Sequence, residues 1–567
     1  MEKVAERTQR TFIILFLAIL CVVLFLVTAI WSGRGLYIRW QEKRLARRAI
    51  IDFQNGDDRD ANLAARTILE MKPTSAPAAR IMAQLAERRG DRTALDWRRK
   101  VTQEEPRSVA DSLVLARCAL QFNDIVTARQ TLDAIEQSGR NTAEFHAASA
   151  LLGQAMHEDE RADQEWTEAI RLAPQDSFNQ LQLAKLRLRA NNPQRRASGE
   201  ELLNTLRADP TQRVPATRAL IINGAAQRIS GDALLELAQA LHAYPEATFN
   251  DRLLYLDILR QLQKPEFARQ LTSFEQDADS DPAKLAALIS WMATNSLSLV
   301  AIDFVHSLSP EVVSKWPVPV AMAGAYAKLG DWIALEAWVT NKDWGQSDFM
   351  RHAYLALALR NQNKTVAAEK EWATAEKQAA TQPAFLSMLT RSTSDWRWKK
   401  EWLELLWTLT NYPETEFEAL QNLYQKYSDD ADTAGLYRVL VRLGELLPED
   451  ERIQNNLAQV SLLLNADMER ARKVAEELYR KEETNPAYAS TYAFALYTKG
   501  DTKGAVKIMN SLNLSQLRDP AVAAYYGVIL AASGNAQSAR EYLKLGTSAR
   551  LLPEEKALVK KAESSLQ

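Results

Sequence analysis

Polar interruptions recur along this chain at a nearly fixed step, and that step constrains the fold more than any other feature. They fall at Gly56, Gly90, Asn123, His157, Asn191, Ser230, Lys264, Ser296, Gly330, Asn363, Asp395, Asp429, Asn465, Gly500 and Gly534. Successive differences are 34, 33, 34, 34, 39, 34, 32, 34, 33, 32, 34, 36, 35 and 34. Between them, apolar and Ala positions return at three- and four-residue spacing, and alternating β-branched runs are almost absent, so each interval reads as helix. The best-marked turns are Gly56-Asp57, Gly90-Asp91, Asn123-Asp124, Gly330-Asp331, Gly500-Asp501 and Gly534-Asn535. Gly or Asn supplies the left-handed backbone that ends one helix, and the Asp or Asn that follows caps the next. Composition points the same way. The 567 residues hold only 19 Gly and 19 Pro, about 3% each, against usual shares of roughly 7% and 5%. Length alone suggests three or four domains, but a large mixed fold needs more of that punctuation. With 47% hydrophobic and 25% charged residues, a wholly disordered chain is excluded.

Side chains keep the same register. Before the turn at His157 stand Ala150 and Gly153, and after it come Ala162, Trp166, Ala169 and Pro174. A shift of 34 carries Ala150 to Ala116 and Ala162 to Ala128. Further matches are Ala356, Ala368, Trp372 and Ala375, then Ala323, Tyr326 and Gly330-Asp331. Near the end, Ala493, Gly500 and Ala505 map onto Gly527, Gly534 and Ala539. Small residues at a helix crossing, an aromatic in the gap and a closing proline resemble the tetratricopeptide repeat, whose period is 34 residues. The resemblance covers residues 49–552 and implies an all-α, right-handed tetratricopeptide-like α-solenoid of about 15 helix pairs. Residues 553–567, rich in Glu and Lys, are expected as a C-terminal capping helix with a wet outer face. Units around Ser230, Lys264, Ser296, Asp395 and Asp429 lack clear crossing residues, and 193–199 reads as an insertion.

The amino-terminal end differs. Residues 12–31 form a 20-residue run with Thr28 as its only polar member, long enough for a bilayer core of about 30 Å. It predicts one transmembrane helix after a tail at 1–11 and before a basic juxtamembrane segment at 32–48. Residues 1–48 carry nine Lys and Arg against three Glu, a sum of +6, which leaves −8 for the rest of a chain of net charge −2. A near-neutral body with a basic end reads as a membrane flank and speaks against a nucleic-acid partner. A cleaved signal peptide ending near Val27-Thr28-Ala29 is the competing reading. The expectation is therefore a single-pass protein of the bacterial inner membrane, touching lipid through its N-terminal helix. Flanking charge favours a cytoplasmic over a periplasmic body.

Few residues suggest chemistry. There is no glycine-rich phosphate loop, no Gly-flanked nucleophilic serine and no paired-cysteine metal motif. The two cysteines are Cys21, inside the apolar run, and Cys118. The five histidines are scattered. No catalytic residue, cofactor or metal is expected. The tetratricopeptide resemblance implies that the first helix of each pair lines a groove for peptides or partner helices. By register this places Arg80, Gln84, Arg88, Arg117, Gln121, Gln154, Lys185 and Arg189 there, a basic surface suited to an acidic peptide or a carboxylate. Nine of 14 tryptophans lie between Trp316 and Trp407; most are expected to fill gaps between helices. Trp398 and Trp402, four apart, are expected on one helix face as a contact surface. The resulting expectation is a membrane-anchored protein–protein interaction scaffold or adaptor. The alternatives are a structural subunit of an oligomeric membrane or envelope assembly, and an enzyme with its site on the inner wall.

Overall fold

A computed structural model describes residues 36–566 apart from residues 228 and 341. Among these residues there is no strand. Contacts divide the chain into two compact units, Met1–Leu202 and Leu203–Gln567. Five helix pairs are described from the first, the last helix running past its end at Leu202. They begin with a helix over 36–54 followed by Asp58–Met71, and continue with Ala76–Arg88 and Thr93–Glu104, Val109–Gln121 and Ile125–Asp133, Ala143–Ala155 and Asp159–Leu172, and Ser177–Leu188 and Pro193–Leu206. Ten follow in the second, whose first helices start at 213, 249, 282, 318, 348, 383, 416, 451, 486 and 520. The steps run from 30 to 36 residues. Within each unit, helix pairs stacked at about this step form a tetratricopeptide-like fold.

The turns explain why the pairs form. At thirteen of them one residue has positive φ, between 51° and 90°: Gly56, Gly90, Asn123, His157, Gln263, Ser296, Gly330, Asn363, Arg397, Ala431, Asn465, Gly500 and Gly534. The next residue's N–H then reaches back five positions to a helix-end carbonyl, as Asp91 does to Ala86 (2.9 Å) and Glu158 to Gly153 (2.8 Å). Carbonyls that the helix end would leave unpaired are thereby satisfied. At six of these turns the Asp or Asn that follows also caps the next helix: Asp124 accepts from the Thr127 N–H at 3.0 Å, and Asp501 from the Gly504 N–H at 2.8 Å, with Asp91, Asp331, Asp432 and Asn535 acting alike. The two departures lie before Pro193 and Gly231, where Asn192 and Ser230 cap the second helix.

Packing follows the small residues. Ala150, Ala162, Ala169 and Trp166 are fully buried in one cluster with Leu183 and Leu186. A Cβ on Gly153 would meet the Ala162 Cβ at 3.3 Å, so only glycine leaves easy room at that crossing. Ala356, Ala368, Trp372 and Ala375 repeat the arrangement. Both pairs also carry the same bridge, His146 to Glu165 at 2.7 Å and His352 to Glu371 at 2.5 Å.

Three expectations change. Residues 193–199 are not an insertion: Pro193 opens the second helix of its pair, and a Cβ on Gly199 would lie 2.8 Å from the Ala184 carbonyl oxygen. Proline suits a first helical turn because its missing N–H has no partner there anyway, and glycine lets the two helices touch. The apolar run 12–31 and the tail 1–11 lie outside the described residues. Among the described residues no helix is long and apolar enough to cross a membrane. The helix over 36–54 carries Arg39, Glu42, Lys43, Arg44, Arg47 and Arg48, and most others have 8–15 residues, about 12–22 Å against a core of about 30 Å. The expected single-pass inner-membrane location, with its cytoplasmic body and lipid contact, is corrected on that finding. Residues 36–48, expected as a juxtamembrane segment, run without a break into the first described helix. Glu42 there accepts from Lys72 Nζ at 2.9 Å and Ser75 Oγ at 2.6 Å.

Candidate binding surface

The eight residues expected at a binding surface lie on, or directly cap, the first helices of four consecutive pairs. Arg80, Gln84 and Arg88 share Ala76–Arg88; Arg117 and Gln121 lie on Val109–Gln121; Gln154 lies on Ala143–Ala155; Lys185 and Arg189 end Ser177–Leu188. Their states differ. Arg80 bridges neighbouring first helices: its Nε donates to Asp111 Oδ1 at 2.9 Å and its Nη2 to Oδ2 at 2.7 Å, with Glu105 as a second partner. Arg80 in turn holds the Asp111 carboxyl below the usual carboxylate range. Arg88 pairs with Asp58, donates to the Phe53 carbonyl at 3.0 Å and lies 3.7 Å from the Phe53 ring centroid. Gln154 accepts from the Trp166 indole N–H at 3.3 Å. Those three side chains are spent on the fold. Arg117, Gln121 and Arg189 are exposed, and Val114, 37% exposed, stands one turn before Arg117. Val114, Arg117 and Gln121 thus form an outward stripe at i, i+3 and i+7.

The tryptophans resolve differently from the expected contact surface. Trp398 is not on the helix Lys399–Leu409 but precedes it, only 9% exposed. It packs edge-on against Trp372 at 5.4 Å and Trp396 at 5.2 Å, with the Arg360 guanidinium 3.6 Å from its ring centroid. Arg360 is held there by Glu401 at 2.8 Å. Spacing of four could not show this, because the helix starts between the two tryptophans. Trp316, by contrast, is 50% exposed.

Two cavities open in the second unit. One, of about 490 Å³, lies among Thr433–Leu446, Glu451–Leu464 and Met468–Lys481, with Glu445, Gln454, Asp467 and Arg470 on its walls. The other, of about 340 Å³, is lined by Trp338, Trp344, Pro310 and His306. Neither holds a charge arrangement that points to a reaction. Burial and the neighbouring Glu87 push the Cys118 thiol up to about 12, so it stays protonated and unreactive at neutral pH.

A surface invisible to the repeat pattern lies at the C-terminal end of the second unit. The helix Pro553–Ser565 runs against the first helices Glu451–Leu464 and Pro520–Ala532. Arg550 pairs with Asp429 at 2.9 Å, and the Thr433 hydroxyl donates to Glu554. Glu555, 8% exposed, accepts from Gln459 Nε2 at 3.2 Å and from the Tyr525 hydroxyl. Gln459 Nε2 also donates to Tyr525 Oη at 2.8 Å. Burial and the adjacent Glu555 raise the Tyr525 phenol well above its ordinary range, so it remains a donor. These partners are 96 and 30 residues from Glu555; the sequence signal was the Glu- and Lys-rich stretch 553–567, expected as a capping helix and helical over Pro553–Ser565.

No family model matches the chain, and no curated protein matches it. Among solved structures, it is similar to the APC/C hetero-tetramer Cut9–Hcn1, with 12% identity, 93% of this chain and 98% of that one covered, and a TM-score of 0.30. It is also similar to Naa15/Naa10 bound to HypK-THB, with 14% identity, 93% and 78% covered, and a TM-score of 0.23.

Proposed function

We propose that the chain is a protein–protein interaction scaffold whose first helices hold an acidic peptide or a helical segment of a partner. The observation that carries this reading is the exposed stripe Val114, Arg117 and Gln121, with Arg189 exposed two pairs on. Among the described residues, Arg117 and Arg189 make no ion pair, whereas Arg80 and Arg88 do. Free guanidinium groups two pairs apart offer bidentate donors to carboxylates spaced along one partner segment. A stack of pairs repeats such a face along its length, so affinity arises from several modest contacts rather than one deep pocket.

The test is quantitative capture. The full chain and an Arg117→Glu/Arg189→Glu variant are used as bait, and bound proteins are compared by mass spectrometry. At least one protein is expected to bind the parent and fall about tenfold or more with the variant, as losing two charge-assisted contacts implies. Identical retention by both, with the variant folded by circular dichroism, would remove these residues from the binding surface.

A further inference from the structure

The C-terminal helix is seated as a ligand would be. It touches four successive pairs rather than only the last. Arg550 and Glu554 reach Asp429 and Thr433, and Glu555 reaches Gln459 and Tyr525. Leu552 and Leu558 pack on the cluster that contains Ala458, Leu462, Phe494 and Tyr525. Val559 and Ala562 lie in a second cluster with Ala524 and Val528.

Its faces are cleanly divided. Leu551, Glu555, Val559 and Ala562 are buried, while Lys556, Lys560, Lys561 and Glu563 are exposed. The inward stripe therefore reads as one acidic residue in the first turn followed by small aliphatic positions four and seven residues later. A non-helical link over 547–552 joins it to the preceding helix. Against the acid the wall offers neutral donors, Gln459 and Tyr525, and the cap N–H of Leu552 donates to the same carboxyl at 2.8 Å. Placing a carboxyl group in a wall contact carries a desolvation cost that an apolar residue would avoid. Its three donors, Gln459, Tyr525 and the Leu552 N–H, tie that carboxyl to one place on the wall.

We propose that the first-helix wall between Glu416 and Ala532 is a docking groove for an amphipathic helix with an acidic first turn, and that residues 550–566 are its built-in occupant, displaced by a partner helix of that chemistry. This rests on the reading of first-helix walls as binding surfaces, but it involves none of the residues that test that reading. Tethering gives the occupant a high effective concentration, so the intact chain offers the groove to a free helix only in the fraction of time it stands open.

The probe is a fluorescein-labelled synthetic peptide with the sequence of residues 549–566, read by fluorescence anisotropy. The proteins are the full chain and a full-length Glu555→Lys/Val559→Asp variant, which weakens the resident helix without shortening the chain. The variant is expected to bind the peptide about tenfold or more tightly than the parent, and a peptide carrying Glu555→Ala to bind the variant about tenfold less well. Equal binding by both proteins, or none by a folded variant, overturns the proposal. So does exchange of the helix between two copies, seen as a stable dimer by light scattering. Hydrogen exchange on the unaltered chain gives a second measurement that needs no variant. Amides of Pro553–Ser565 are expected to open while Pro520–Ala532 stays protected; exchange of both segments together would make the helix a fixed part of the core.

Discussion

Replacing Trp166 with alanine tests the packing logic of the whole array. Trp166 is fully buried between Ala150, Ala162 and Ala169, and its indole N–H donates to Gln154 at 3.3 Å. An indole removes roughly 200 Å² of surface from water, and at about 25 cal/mol per Å² its loss costs ~5 kcal/mol. Partial collapse of the site brings the expected loss to about 3–5 kcal/mol. Gln154 is half-buried, so water replaces the lost donor and adds little. Because each pair contacts only its neighbours, the damage is expected to stay local. Hydrogen exchange resolved by mass spectrometry reads this directly. Opening free energies are expected to fall by about 3–5 kcal/mol across residues 143–206, with 486–546 unchanged. Trp316→Ala, at a site 50% exposed, is the control and is expected to stay within about 0.5 kcal/mol. A loss under about 1 kcal/mol at Trp166 would refute the gap-filling argument. An equal loss along the whole chain would refute the nearest-neighbour argument.

Further outcomes follow from single residues. Ala431 has φ of 52°, a conformation only glycine adopts without strain, so Ala431→Gly is expected to stabilise its pair by about 1 kcal/mol in urea unfolding. Asp111 is held below the usual carboxylate range by Arg80. A depressed folded-state value adds stability that is full above the unfolded carboxyl range and lost as pH falls through the folded one. Asp111→Asn is therefore expected to lower the stability of residues 76–133 at pH 7, and the difference from the parent should shrink below pH 4 or so. Cys118, with its thiol pushed up to about 12 and its side chain buried, is expected to resist alkylation at pH 8. Peptide mass mapping should show it labelled only as fast as its helix pair opens.

Much of the fold was legible because helix ends are written in local chemistry. Where Gly or Asn ends a helix, as at Gly90, Asn123 and Gly500, the left-handed residue lies where the spacing placed it. Where other types serve, His157 and Ser296 hold their places but three turns are displaced: Gln263 rather than Lys264, Arg397 rather than Asp395, Ala431 rather than Asp429. Packing of the paired helices imposes positive φ there, and no side chain announces it. In the segment 193–199, expected as an insertion, Pro193 starts a helix instead. Arg80 and Arg88 show a different limit, since periodicity places a residue on a face but does not reveal the acid it meets. Glu555 and its partners were beyond reach for the same reason, because contacts between residues 96 apart leave no trace in a 34-residue register.

The tie between Arg550 and Asp429 also changes how the chain comes apart. A row of nearest-neighbour pairs ravels from its free end, one pair after another. Here a stitch spanning 121 residues runs from beyond the last pair back to the fourth from the end, and Thr433 to Glu554 doubles it. Fraying inward from Ser565 must first break that stitch, so the last four pairs are tied together while the helix is seated, and once it lifts they ravel one by one. Limited proteolysis should accordingly cut first within the link 547–552 and the helix after it, and only then give a ladder of fragments one repeat apart.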